Sequence, residues 1–127
     1  MHLLHEVQPD ETPVCRGQYS YLRGGKATGQ IETWQITRLP GGAEITRVEV
    51  KGSDDATNLL THLQRDPDGR PEWLRLRYER GEAVAAAQYT FEEAVVHVAR
   101  QAEGHLRRQE VLDIAAGYEV DYHSVIA

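Results

Sequence analysis

The sequence predicts an all-β or nearly all-β domain: one curved antiparallel meander of roughly eight or nine strands, half-barrel-like in shape. Three observations predict it. Short runs rich in Ile, Val, Thr and Tyr follow one another at intervals of roughly 8–12 residues, with Gly, Pro and Asp between them. Glu72–Arg80 alternates strictly, with Leu74, Leu76 and Tyr78 on one face and Arg75, Arg77 and Glu79 on the other, as expected of a half-buried antiparallel strand. The aromatic residues fall mostly inside these runs, where pleated surfaces favour them.

The elements follow in order. Residues 1–15 read as an irregular N-terminal segment, because Pro9 and Pro13 each lack a donor and restrict the preceding residue. Arg16–Arg23 carries Tyr19 and Tyr21 at period two, and Gly24, Gly25 and Lys26 break it. In Gln30–Leu39, Ile31, Thr33, Gln35 and Thr37 face one way, and Trp34 and Ile36 the other. Pro40, Gly41 and Gly42 form a hairpin signal, since glycine takes positive φ without steric cost. Ala43–Lys51 is the return strand, ended by Gly52–Asp55. Thr57–Arg65 contributes Leu59, Leu60 and Leu63. Asp66–Pro71 is the clearest turn, joining fixed φ, Asp side-chain bonding and a glycine. Gly81 and Glu82 lead from Glu72–Arg80 into Ala83–Thr90.

The next stretch has two readings. Thr90 and Glu93 have capping-box spacing, which would put Phe91, Ala94, Val95, Val98, Ala99 and Ala102 on one helical face. Against a helix stand the β-branched Val95, Val96 and Val98 and a turn-like Ala102–His105; two strands are the favoured reading. Leu106–Ile114 alternates, Ala115–Gly117 is a break, and Tyr118–Val125 is a final extended run. A last strand without a successor leaves an edge to be covered or paired.

The 127 residues fit one domain spanning 1–127, with 40% hydrophobic and 27% charged residues. A net charge of −6 argues against a strong grip on nucleic acid or anionic lipid. The single Cys15 excludes an internal disulfide framework. No apolar run approaches the roughly 20 residues that span a membrane. The first residues lack the charged-then-apolar plan of a signal peptide, so a cytoplasmic location is expected.

Chemical motifs are sparse. Cys15 has no local base to activate it. His2 and His5 have i, i+3 spacing, while His62, His97, His105 and His123 lie on or beside separate strands; none of this requires a metal, and HExxH and CxxC are absent. Asp54 with Asp55, Glu92 with Glu93, and Glu119 with Asp121 are carboxylate pairs that suit either acid–base work or a solvated surface. Gly24–Gly25 and Gly41–Gly42 carry no nucleotide fingerprint. Arg75 and Arg77 beside Trp73 and Tyr78, and Arg107 with Arg108, are interleaved with Glu72, Glu79 and Glu110, which favours a solvated face over a single-strand stacking platform. No catalytic residue, metal or cofactor is therefore expected.

The order of pieces resembles the glycolipid-binding proteins and the wider group of curved β-meanders that includes the lipoprotein-localisation factors. The residues concerned are Trp34 in the second long run, the Asp66–Pro71 turn, Tyr89 to Phe91 before a polar hairpin, and Tyr118 to His123, within residues 16–125. The resemblance implies a one-sided, strongly curved sheet able to cradle acyl chains. Together with the aromatic alternation, it leads to the expected function of a non-enzymatic binding module. Such a module would hold an apolar or amphiphilic small molecule, lipid or glycolipid-like, against Tyr19, Tyr21, Trp34, Leu74, Leu76 and Tyr78 on the concave face. The alternative is an assembly protein whose open face or edge forms a homodimer. A small hydrolase using His and carboxylate residues ranks third.

Overall fold

The computed structural model describes residues 7–52, 57–102 and 107–113. They form eight strands: β1 (Thr12–Arg23), β2 (Lys26–Arg38), β3 (Glu44–Lys51), β4 (Thr57–Arg65), β5 (Pro71–Arg80), β6 (Ala83–Phe91), β7 (Val95–Ala102) and β8 (Arg108–Asp113). Each strand pairs antiparallel with the next, in chain order, to make one open sheet. There is no helix among the described residues. The predicted all-β meander is therefore the fold observed.

The turns do what their residues favour. Between β4 and β5, Asp66 Oδ1 accepts the backbone N–H groups of Asp68 and Arg70, both at 2.9 Å. Gly69 follows at φ 85°, which a side chain would resist. Between β2 and β3, the Leu39 N–H donates to the Ala43 carbonyl at 2.7 Å across Gly41 and Gly42, whose φ values are 94° and 101°.

Two boundaries differ from expectation, the start of β1 and that of β2, which begins at Lys26 and not at Gln30. The N-terminal segment is not irregular to residue 15, because β1 starts at Thr12 and includes Pro13. Among the described residues β1 is paired on one side only, so a residue without an N–H is tolerated there, and a register shift between Pro13 and Cys15 takes up the local misfit. The stretch with two readings is strand from Val95 to Ala102, as favoured. Further register shifts, between Ser20 and Leu22 and between Gln64 and Arg65, add local twist and bend. The extended run Tyr118–Val125 and the turn at Glu103–His105 lie outside the described residues.

Cross-strand partners share a face, so the register sorts every side chain. One row crosses all eight strands as Gly17, Trp34, Val48, Thr61, Leu76, Ala87, Arg100 and Arg108. The adjacent row, pointing to the other side, includes Gln35, Arg47, His62, Arg75 and Gln88. The first side is apolar over β2–β7 and the second largely polar. The core sits in β3–β5, with Val96 and Val98 of β7 also buried. Val50 and Leu63, each 1% exposed, lie on the apolar face; Leu60, fully buried, lies on the polar face between Glu49 and Arg77. Full burial of such a leucine contributes about 1.5–3 kcal/mol.

A buried ion pair ties the start of the sheet to its centre. Glu11, just before β1, receives a bidentate pair of hydrogen bonds from Arg47 of β3, Nη1 to Oε1 at 2.6 Å and Nη2 to Oε2 at 3.0 Å. The Thr37 hydroxyl donates to the same carboxylate and accepts from Arg47 Nη1 at 3.0 Å. The Gln8 backbone N–H also donates to Glu11. The Glu11 side chain is fully buried, and that of Arg47 is 7% exposed. Burial alone would push the Glu11 carboxyl up. The hydrogen bonds from Arg47, Thr37 and Gln8 and the charge of Arg47 outweigh it and hold the group below its ordinary value.

Candidate functional site

β6 runs Ala83, Val84, Ala85, Ala86, Ala87, a composition that strands ordinarily avoid. On the apolar face Ala85 stands between Tyr78 of β5 and Ala102 of β7, and Ala87 between Leu76 and Arg100. A methyl group fills far less space than its neighbours. The sheet therefore carries a trough floored by Ala85, Ala87 and Ala102, of about 610 Å³. Leu59, Leu76 and Tyr78 make one wall, and Arg100 and Arg108 border the other. The lining contains no carboxylate, histidine, cysteine or hydroxyl other than those of Tyr78 and Tyr89. That set has no nucleophile–base pair for covalent chemistry. It offers apolar contact with a few polar groups to one side, the make-up and size of a small-molecule pocket.

The sequence-predicted residues are brought to one face but not to one site. Tyr19, Trp34, Leu74, Leu76 and Tyr78 lie on the apolar face by register, and the Tyr21 hydroxyl donates to Glu32 Oε1 at 2.9 Å on the same face. Leu76 and Tyr78 line the trough. Leu74 is buried in the next row, opposite Leu63 and Tyr89. Tyr19 stacks on Trp34, with ring centroids 6.3 Å apart and planes 25° apart. β3 and β4 separate that stack from β5, so it stands about 14 Å away at ordinary strand spacing. Sequence reasoning missed Leu59, Ala85, Ala87, Tyr89, Arg100 and Arg108. The alanine run was the available signal, since a strand that gives up side-chain volume on one face leaves space there.

The Trp34 indole lies over Gly17, its register partner; a Cβ at position 17 would come within 2.5 Å of Trp34 Cζ2. Trp34 Nε1 is buried and has no hydrogen-bond partner among the described residues. Gly17→Ala is expected to displace the indole and lower stability by about 1–3 kcal/mol. Read in a Trp73→Phe background, Trp34 emission should shift to the red and become more open to quenching. An unchanged spectrum would refute this seating.

The polar face carries a second hollow of about 510 Å³, bordered by Arg16, Gln18, Thr33, Gln35, Arg47 and Glu49. Its deepest cation, Arg47, is already committed to Glu11. Also on this face, Arg75 stacks over Trp73 at 4.3 Å, and Arg77 pairs with Glu79 at 2.7 Å. Cys15 is exposed, His62 is buried on β4, and His97 Nε2 lies 3.2 Å from Glu92. His2, His5, His105, His123, Asp54, Asp55, Glu119 and Asp121 fall outside the described residues. Among the described residues no group of three or more His, Cys, Asp and Glu is arranged to hold a metal ion, and no helix is long and apolar enough to cross a membrane. Comparison with protein-family models, curated proteins and solved structures finds no match to this chain.

Proposed function

We propose that this chain is a binding module that holds an apolar or amphiphilic small molecule in the trough over β5–β7. The observation that carries the reading is the alanine floor between an aliphatic–aromatic wall and an arginine border. Among the described residues no layer covers this face; apolar area exposed there is disfavoured by water, and a ligand removes it. The acyl-cradling that the family resemblance implies accords with this reading.

The neutral fluorescent probe N-phenyl-1-naphthylamine tests it. The expected result is saturable enhancement of its emission, with a melting temperature that rises with probe concentration as mass action requires. Absence of both would reject the reading. The assembly alternative draws on β8, all of whose residues are exposed, including Val111 and Leu112. It predicts a melting temperature that rises with protein concentration and without any ligand.

A further inference from the structure

We infer that the amphiphile is anionic: an alkyl chain lying against Leu59, Leu76 and Tyr78, with a carboxylate head held between Arg100 and Arg108. The inference rests on the trough reading above and adds the chemistry of the head. Arg100 and Arg108 are direct cross-strand partners on the apolar face. Like charges placed opposite one another repel, so this pairing costs stability unless an anion joins it. Glu110, on the same face, forms a loose ion pair with Arg100, Oε1 to Nη1 at 3.9 Å, which is beyond hydrogen-bond length and about half exposed on both sides, so it offsets that charge only weakly. The Arg108 side chain has no ion pair or hydrogen bond with another described residue. The chain as a whole has 20 acidic against 14 basic residues, yet the trough is bordered by two arginines and no carboxylate.

The two sides of the trough ask for different chemistry. Across the floor of Ala85 and Ala87, the Leu76 and Tyr78 wall offers aliphatic and ring surface to a chain, with the Tyr78 hydroxyl its one polar side-chain group. The guanidinium is a planar fork that matches a carboxylate with two parallel hydrogen bonds, and it gives up hydration more readily than an ammonium. A head seated there neutralises the repulsion between the two arginines while its chain stays on the alanine floor. A neutral head leaves the repulsion in place, and a cationic head adds to it.

Isothermal titration calorimetry of the full chain with three dodecyl probes below their micellar concentrations tests this at low salt. Dodecanoate is expected to bind about tenfold or more tightly than dodecan-1-ol, with dodecyltrimethylammonium weakest. The ratio of dodecanoate to dodecanol affinity should shrink as salt is added. It should fall towards one in R100Q/R108Q and persist in part in R100K/R108K. If all three probes bind alike to the native chain, the anionic head is overturned while the trough reading stands. If none binds, both fail. A preference for dodecanoate that survives intact in R100Q/R108Q would overturn the assignment to these two arginines.

Discussion

Glu11→Ala is expected to cost about 3–5 kcal/mol of folding stability, the usual effect of removing one partner of a buried ion pair. The reason is the position of what remains. Arg47 is 6% exposed in the middle strand region and holds a bidentate contact with a carboxylate that is itself fully buried. Without Glu11 its charge stays desolvated, and the Thr37 hydroxyl loses its acceptor. Urea denaturation measures the effect as a drop in midpoint. A loss under about 1 kcal/mol would show that water reaches Arg47 and that the pair is effectively a surface one. The double variant Glu11→Leu with Arg47→Met should recover most of the loss, because a matched apolar pair carries no buried charge.

The same carboxylate sets an acid response. Its folded value lies below its unfolded one, so the stability it contributes is fully present above the unfolded value, about 4.5. It is lost as pH falls through the folded value, where protonation removes the partner that Arg47 needs. The native chain should thus lose more stability than Glu11→Gln when acidified below about pH 4. Parallel stability–pH curves for the two would count against the pair.

Ala87→Phe is expected to weaken probe binding by roughly tenfold to a hundredfold, the affinity equivalent of losing about 1.5–3 kcal/mol of apolar burial by the probe. Ala87 is half-buried on the trough floor, between Leu76 and Arg100. A ring there occupies the space the probe needs, and the backbone ladder of β6 is untouched. The urea midpoint should change little, because the ring enters an open trough and displaces no neighbour. Gln88→Phe, one residue on and facing the opposite side, is the control. It should leave the probe affinity as it was, whereas equal losses in both variants would point to a general disturbance of β6.

Much of the fold was legible. Leu74, Leu76 and Tyr78 against Arg75, Arg77 and Glu79 announced both a strand and its two faces, and the register confirms the division. Asp66–Pro71 and Pro40–Gly42 announced their turns by the few residues that accept those backbone angles. Thr12–Cys15 was hidden because Pro13 reads as a strand breaker when its place at the edge is unknown. Arg100 was hidden inside a stretch whose helical and extended readings place it on different surfaces. The six aromatic and leucine positions chosen from alternation share a face, but only Leu76 and Tyr78 reach the trough.

The sequence by itself determined strand, turn and face, because period-two alternation and turn chemistry act over a few neighbouring residues. Tertiary structure decided which residues meet. Glu11 and Arg47 are 36 positions apart and carry no local sign of each other. The trough exists because register sets Ala85 and Ala87 beside Tyr78, Leu76, Ala102 and Arg100. A slip of one residue would send each of those side chains to the opposite face while leaving the pattern within each strand unchanged. Register is a relation between strands, fixed by hairpin lengths and bulges together, so it is not written in any one of them.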